Sequence, residues 1–63
     1  MSANEALQSA SAILRDEANE LALLSGDEIA KKLPHRARVA IRREIERLRE
    51  IAAILDSENQ RTL

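Results

Sequence analysis

Two glutamates and one histidine are the side chains of this sequence best suited to chemistry. Glu17 and Glu44 each interrupt an apolar helical stripe, and paired carboxylates inside a helix bundle can hold a metal or exchange protons. The metal motif of such bundles also needs a histidine three residues after a glutamate, and this sequence has none. His35, the only histidine, directly follows Pro34 and is expected on a surface turn. We therefore expect no catalytic residue, no metal, no cofactor and no enzymatic activity.

The apolar residues are entirely aliphatic. The 63-residue chain has no Phe, Trp, Tyr or Cys and only one Gly and one Pro. Disulfides, cysteine metal sites and aromatic stacking platforms for single-stranded nucleic acid are thereby excluded. A β-rich fold would lack its usual strand and turn residues. The composition predicts a single all-α domain over residues 1–56.

The first helix is predicted over about residues 3–24. Ser2 and Glu5 have the spacing of a capping box at its start. Aliphatic residues then recur every three or four positions up to Leu24, which indicates one apolar face. Two interpretations remain open for the break that follows. Gly26 ends the helix in a left-handed conformation, or Ser25 caps a new short helix with Glu28 completing its box.

The second long helix is predicted over about residues 34–56, with a short helix or turn at 26–33 before it. Pro34 suits the first position of a helix. The spacing of aliphatic residues from Ile41 to Leu55 alternates between four and three, as in a coiled-coil seam. Residues 57–63 are predicted to be a frayed polar tail, because they are polar and have no cap.

Two long helices joined by a compact turn predict an antiparallel helical hairpin. So short a chain buries only about 60% of its surface and is marginally stable alone. We therefore expect a homodimer in which two hairpins form a four-helix bundle. The predicted core and dimer residues are Leu7, Ala10, Leu14, Glu17, Leu21, Ile41, Glu44, Ile45, Leu48, Ile51 and Leu55. Within this set, Glu17 or Glu44 is expected to make a polar interface contact to Arg38.

Charge is divided unevenly along the chain despite a formal net charge of −1. Residues 1–30 are acidic and residues 31–49 strongly basic, with most of the bases being arginines. Helical projection places several arginines beside two aliphatic residues on the outer face of the second long helix. Because arginine is favoured at protein interfaces, this face is predicted to bind a partner. The predicted partner-binding residues are Arg36, Val39, Arg42, Arg43, Arg47 and Ile54.

One segment resembles a known motif. Residues 25–33, Ser-Gly-Asp-Glu-Ile-Ala-Lys-Lys-Leu, followed by residues 41–48, Ile-Arg-Arg-Glu-Ile-Glu-Arg-Leu, are similar to the helix-turn-helix of bacterial transcription regulators. The resemblance implies that Ile29, Ala30 and Leu33 pack the first motif helix. It also implies that Arg36, Arg38 and Arg42 face DNA. Pro34 and His35 depart from the motif, where a glycine and a small apolar residue are usual.

Three functions remain open. The sequence favours a small non-catalytic regulatory protein that dimerises and binds a macromolecular partner, most naturally a protein. The alternatives are a helix-turn-helix DNA-binding regulator and an RNA-binding hairpin dimer. The longest apolar runs are too short to cross a membrane, so we expect a soluble cytoplasmic protein with no small-molecule substrate.

Overall fold

Two long helices and one short one make up the computed structural model, which describes residues 2–61 apart from the side chain of Ile29. Helix α1 spans Ala3–Ser25, α2 spans Glu28–Lys31 and α3 spans His35–Arg61. Helices α1 and α3 pack against each other as a hairpin, with α2 forming one turn in the connection. The predicted all-α helical hairpin is confirmed.

Helix α1 begins where the sequence predicts. The backbone of Ser2 is extended, and its side-chain oxygen accepts a hydrogen bond of 3.1 Å from the backbone N–H of Glu5. This bond satisfies one of the N–H groups that a helix start leaves without a partner.

The end of α1 differs from both interpretations of the sequence. Gly26 has φ −90° and ψ −5°, which is right-handed, so the turn does not need glycine's access to positive φ. Ser25 does not cap a new helix, because it is the last residue of α1 and donates a 2.9 Å hydrogen bond to the Ala22 carbonyl. The chain reverses instead through successive i→i+3 bonds, including the 3.0 Å bond from Asp27 N–H to the Leu24 carbonyl.

Helix α3 is longer than predicted. It begins at His35, and the carbonyl of Pro34 accepts the N–H groups of Ala37 at 3.0 Å and Arg38 at 3.2 Å. At the other end, the predicted frayed tail is wrong for residues 57–61, which continue the helix. No glycine or proline follows Asp56 to stop it. An ion pair of 3.1 Å between Arg61 and Glu58 also supports the last turn. Residues 62 and 63 lie outside the described part of the chain.

Small side chains occupy the line of closest approach between the helices. Ala18, Ala52 and Ser11 are all at most 2% exposed. Two larger side chains, Ile45 and Leu48, pack beside them and are buried as predicted. The other predicted core residues are half-buried, except for Glu17, which is exposed; the half-buried ones are Leu7, Ala10, Leu14, Leu21, Ile41, Glu44, Ile51 and Leu55.

The hairpin is a thin slab with extents of 45 × 16 × 12 Å. Because the two long helices lie side by side, the hairpin is only one layer of helices thick. Every side chain that does not point directly at the neighbouring helix is therefore close to solvent. No helix within residues 2–61 is both long and apolar enough to cross a membrane.

Candidate functional site

An arginine strip runs along α3 on the side that faces away from α1. It consists of Arg36, Arg43, Arg47 and Ile54, which the 3.6-residue helical period places on one line, and the exposed Glu50 lies on the same edge. All four side chains are exposed, and Ile54 retains 56% of its accessible surface. From Arg36 to Ile54 the strip is about 27 Å long at 1.5 Å per residue. It is the part of the predicted partner-binding surface that the fold leaves together and accessible.

One arginine of the strip is paired within its own helix. Arg47 donates two hydrogen bonds to the carboxylate of Glu44, of which the one from Nε is 3.0 Å long. These hydrogen bonds lower the pKa of Glu44 and raise that of Arg47 above its ordinary value. Within the chain, Glu44 thus pairs with Arg47, because residues three apart on a helix are neighbours. The expected interface contact of Glu17 or Glu44 to Arg38 stays a prediction for the dimer.

Two other predicted partner-binding residues lie off the strip. Val39 is half-buried, although the helical projection puts it near the outer face. Arg42 is exposed but points toward the turn end of the hairpin, where it lines a cleft with α2. The predicted surface is therefore divided into two sites.

The second site, which we call the cationic cleft, lies between α2 and the first turns of α3. It has a volume of about 210 Å³ and is partly enclosed. Three cationic residues line it, namely Lys31, Arg38 and Arg42. Ser25 also lines it, and Ala30, Ile41 and Ile45 form its apolar floor. The sequence predicted roles for both arginines, but it did not indicate a cleft that they share with Lys31.

Aliphatic side chains remain exposed on one broad face of the hairpin. Ile13 retains 58% of its accessible surface and Leu24 retains 45%. The helical period places both on the same flank of α1, and it places the half-buried Ile51 and Leu55 on the matching flank of α3. We call this the apolar face. A shallow groove along it is lined by Leu21 and Leu24 together with two glutamates, Glu17 and Glu20.

A polar cluster joins the two helices on the opposite broad face. Arg15 donates one hydrogen bond of 2.6 Å to the Ser11 hydroxyl and forms an ion pair with Asp56. The Ser11 hydroxyl in turn lies 3.5 Å from the Ala52 carbonyl oxygen, to which it donates. The sequence did not indicate this cluster. The available signal was Ser11, a polar residue seven positions before Ala18 on the packed side of α1.

The cluster makes stability depend on pH on the acid side. The hydrogen bond from Arg15 is the main cause that lowers the pKa of Asp56 in the folded chain. Its stabilising contribution is therefore complete above the ordinary aspartate pKa of about 3.9 and is lost as the pH falls through the lower folded value. We expect Asp56→Asn to be less stable than the wild type at pH 7 and to lose less stability between pH 7 and pH 2.5. Urea unfolding at both pH values measures this difference.

Glu46→Gln provides the matched control for Asp56→Asn. Glu46 is an exposed carboxylate on the same helix and is not part of the cluster. It should lose stability with acid as the wild type does. Equal acid sensitivity of the wild type and Asp56→Asn would mean that the ion pair does not contribute in solution.

Comparison with known proteins returns no match: no family model, no curated protein and no solved structure matches this chain. Among residues 2–61, no three His, Asp or Glu side chains lie close enough together to hold a metal ion. The surfaces described above are thus the features from which a function is inferred.

Proposed function

We propose that this chain is a non-catalytic regulatory protein that dimerises through the apolar face and binds an acidic protein partner through the arginine strip. The observation that carries the proposal is the exposure of Ile13 and Leu24 on one side of a slab that is one helix thick. Two such slabs, packed face to face, form a four-helix bundle in which these side chains become core residues.

The exposed area supports the dimer. The chain has 4900 Å² of accessible surface, whereas a compact monomer of 7.0 kDa is expected to have about 4,000 Å². The elongated shape produces this excess, and a standard protein interface covers roughly 800 Å² on each partner. A second copy brings an identical apolar face and so covers this excess without any further component.

The arginine strip supports a protein as the partner. It combines guanidinium groups with the exposed aliphatic Ile54, and interfaces between proteins are enriched in arginine and apolar contacts at their centres. Arg47 borders the apolar face, because it pairs with Glu44 on the flank that carries Ile51. Arg36, Arg43 and Ile54 lie on the side of α3 away from α1 and would remain available when the dimer forms. Acidic groups on the partner would complement the charge of the strip and speed association.

DNA binding and RNA binding are the alternative functions, and the test must distinguish them from protein binding. In a helix-turn-helix the two motif helices cross at about 90–120° through a short turn. Here α2 has only four residues and α3 packs along α1. Ala30 is buried and Leu33 half-buried, as the resemblance implied, while the side chain of Ile29 lies outside the described part of the chain. The hairpin geometry favours the protein-binding interpretation.

Dimerisation is tested by placing charge on the apolar face. We expect the wild type to sediment at twice its 7.0 kDa chain mass at micromolar concentration. The double variant Ile13→Glu/Leu24→Glu should sediment as a monomer, because buried unpaired carboxylates oppose association. Leu23→Glu is the control, since Leu23 is 78% exposed on another side of α1 and should leave the dimer intact. A folded wild-type monomer at these concentrations would contradict the proposal.

Partner binding is tested by reversing charge in the strip. Arg43→Glu/Arg47→Glu should weaken binding to the captured and purified partner at least tenfold, with helicity by circular dichroism unchanged. Lys32→Glu/Arg49→Glu changes the net charge equally at exposed positions outside the strip and should bind within about twofold of the wild type. Affinity capture from the host before and after nuclease treatment separates the alternatives. A partner lost with nuclease would favour DNA or RNA binding instead.

A further inference from the structure

The cationic cleft holds positive charge that the residues lining it do not neutralise. Its lining includes no carboxylate. Lys31 has an ion partner, Glu28, at 3.3 Å, but that pair is exposed on both sides and therefore weak. Neither Arg38 nor Arg42 forms an ion pair with any residue in the range 2–61. Two arginines and one lysine thus line a single space.

This arrangement opposes the stability of α3. Arg38 and Arg42 are four residues apart, and like charges at that spacing destabilise a helix. Arg38 lies in the first turn of α3, where the helix dipole disfavours cations, and that turn has no acidic residue. By contrast, α1 has Glu5 in its first turn and a serine cap. Local features that oppose the fold are expected where a residue serves binding.

The walls of the cleft would strengthen an electrostatic contact. Its floor contains Ala30 at 1% exposure and Ile45 at 8%. Apolar walls lower the local dielectric constant, so a charge-assisted hydrogen bond formed there is stronger than one in open solvent. The Ser25 hydroxyl already donates to the Ala22 carbonyl, which leaves the three cationic groups as the donors for a ligand.

We propose that the cationic cleft is a binding site for the phosphate group of a small phosphate monoester. A phosphate dianion offers three oxygen acceptors and a double charge, which match two guanidinium forks and one ammonium group better than a single carboxylate does. The volume of about 210 Å³ suits a phosphate group with a small organic body. The site is separate from the arginine strip, because neither Arg43 nor Arg47 lines it.

The test is a titration of the dimeric or monomeric protein with inorganic phosphate, phenyl phosphate and acetate at constant ionic strength. Backbone amide and arginine Nε resonances report binding in nuclear magnetic resonance spectra. We expect saturable shifts at residues lining the cleft, with phenyl phosphate and inorganic phosphate binding at least tenfold more tightly than acetate. Non-saturating shifts, or equal affinity for acetate, would overturn the proposal.

Matched variants separate a built site from general attraction. Arg38→Gln/Arg42→Gln should weaken phosphate binding at least tenfold, whereas Arg36→Gln/Arg43→Gln, with the same change in net charge, should stay within about twofold. Equal weakening in both variants would overturn the proposal. If the double variant loses helicity, Lys31→Gln, a substitution at an exposed position, provides a second test. This variant should weaken phosphate binding several-fold.

Two further experiments test the assignment of the cleft as a phosphate site. Glu28→Gln removes the carboxylate that pairs with Lys31 and should tighten phosphate binding. If Lys31 had only a structural role, this substitution would not tighten binding. A short DNA duplex presents phosphate diesters. If the duplex saturated the cleft resonances while phenyl phosphate did not, the site would be a nucleic-acid contact and the proposal would be wrong. Because the arginine strip is not part of this site, the outcome is independent of partner binding.

Discussion

Replacing Leu48 with alanine should remove most of the stability of the folded chain. Leu48 is 5% exposed and packs in the cluster formed with Ala18 and Ile45. Truncating a buried leucine to alanine costs about 2–5 kcal/mol, because apolar contacts are lost and a cavity remains. At about 0.05–0.15 kcal/mol per residue, a chain of this length has only about 3–9 kcal/mol in total. We therefore expect Leu48→Ala to be largely or wholly unfolded at 37 °C.

Chemical denaturation followed by far-ultraviolet circular dichroism measures the effect. The matched control is Leu23→Ala, the same substitution at a position that is 78% exposed. It should change the free energy of unfolding by no more than about 0.5 kcal/mol. A Leu48→Ala protein as stable as Leu23→Ala would mean that the helices do not pack through this cluster.

Enlarging Ala52 to leucine should separate the two helices. Ala52 is fully buried, and its carbonyl oxygen accepts from the Ser11 hydroxyl across the interface. Inserting three heavy atoms at this closest approach costs about 1–3 kcal/mol or more, because the backbone must move. The same movement takes Asp56, one helical turn further on, away from Arg15. We expect lower stability and, in any folded fraction, a pKa of Asp56 returned toward its ordinary value.

Ala53→Leu is the control for this substitution. Ala53 is the next residue on α3 and is exposed, so leucine there adds the same volume without an obstacle. Thermal unfolding and a carboxylate titration followed by carbon-detected spectroscopy distinguish the two variants. If Ala52→Leu were as stable as Ala53→Leu, the line of small residues would not set the distance between the helices.

Single-helix features of this fold were predictable from the sequence. The spacing of Ser2 and Glu5 correctly located the start of α1, since a cap depends on residues three apart. The aliphatic stripes correctly predicted two amphipathic helices, and Ile45 and Leu48 correctly appeared as core. Each of these depends on neighbours within about one helical turn, which the sequence displays directly.

Features that depend on the register between helices were not predictable. The ion pair of Arg15 with Asp56 joins residues 41 positions apart, and neither helix alone specifies which levels face each other. The same limit applies to the cationic cleft, which combines Lys31 from α2 with two arginines of α3. The conformation of the turn after α1 was mispredicted for a different reason. Gly26 is typical of a left-handed helix end, but the chain reverses there without that conformation.

A slab one helix thick also has a calorimetric consequence. Its fully buried side chains are small, and many of its larger aliphatic groups stay in contact with water after the hairpin forms. Unfolding an isolated hairpin would newly expose little apolar surface, and its heat-capacity change should fall below the average for 63 residues, about 0.8–0.9 kcal/mol/K. In a dimer the apolar face would be covered, so unfolding would expose more apolar surface and the heat-capacity change per chain would be larger. The heat capacity of unfolding therefore reports whether the melting species is one hairpin or two.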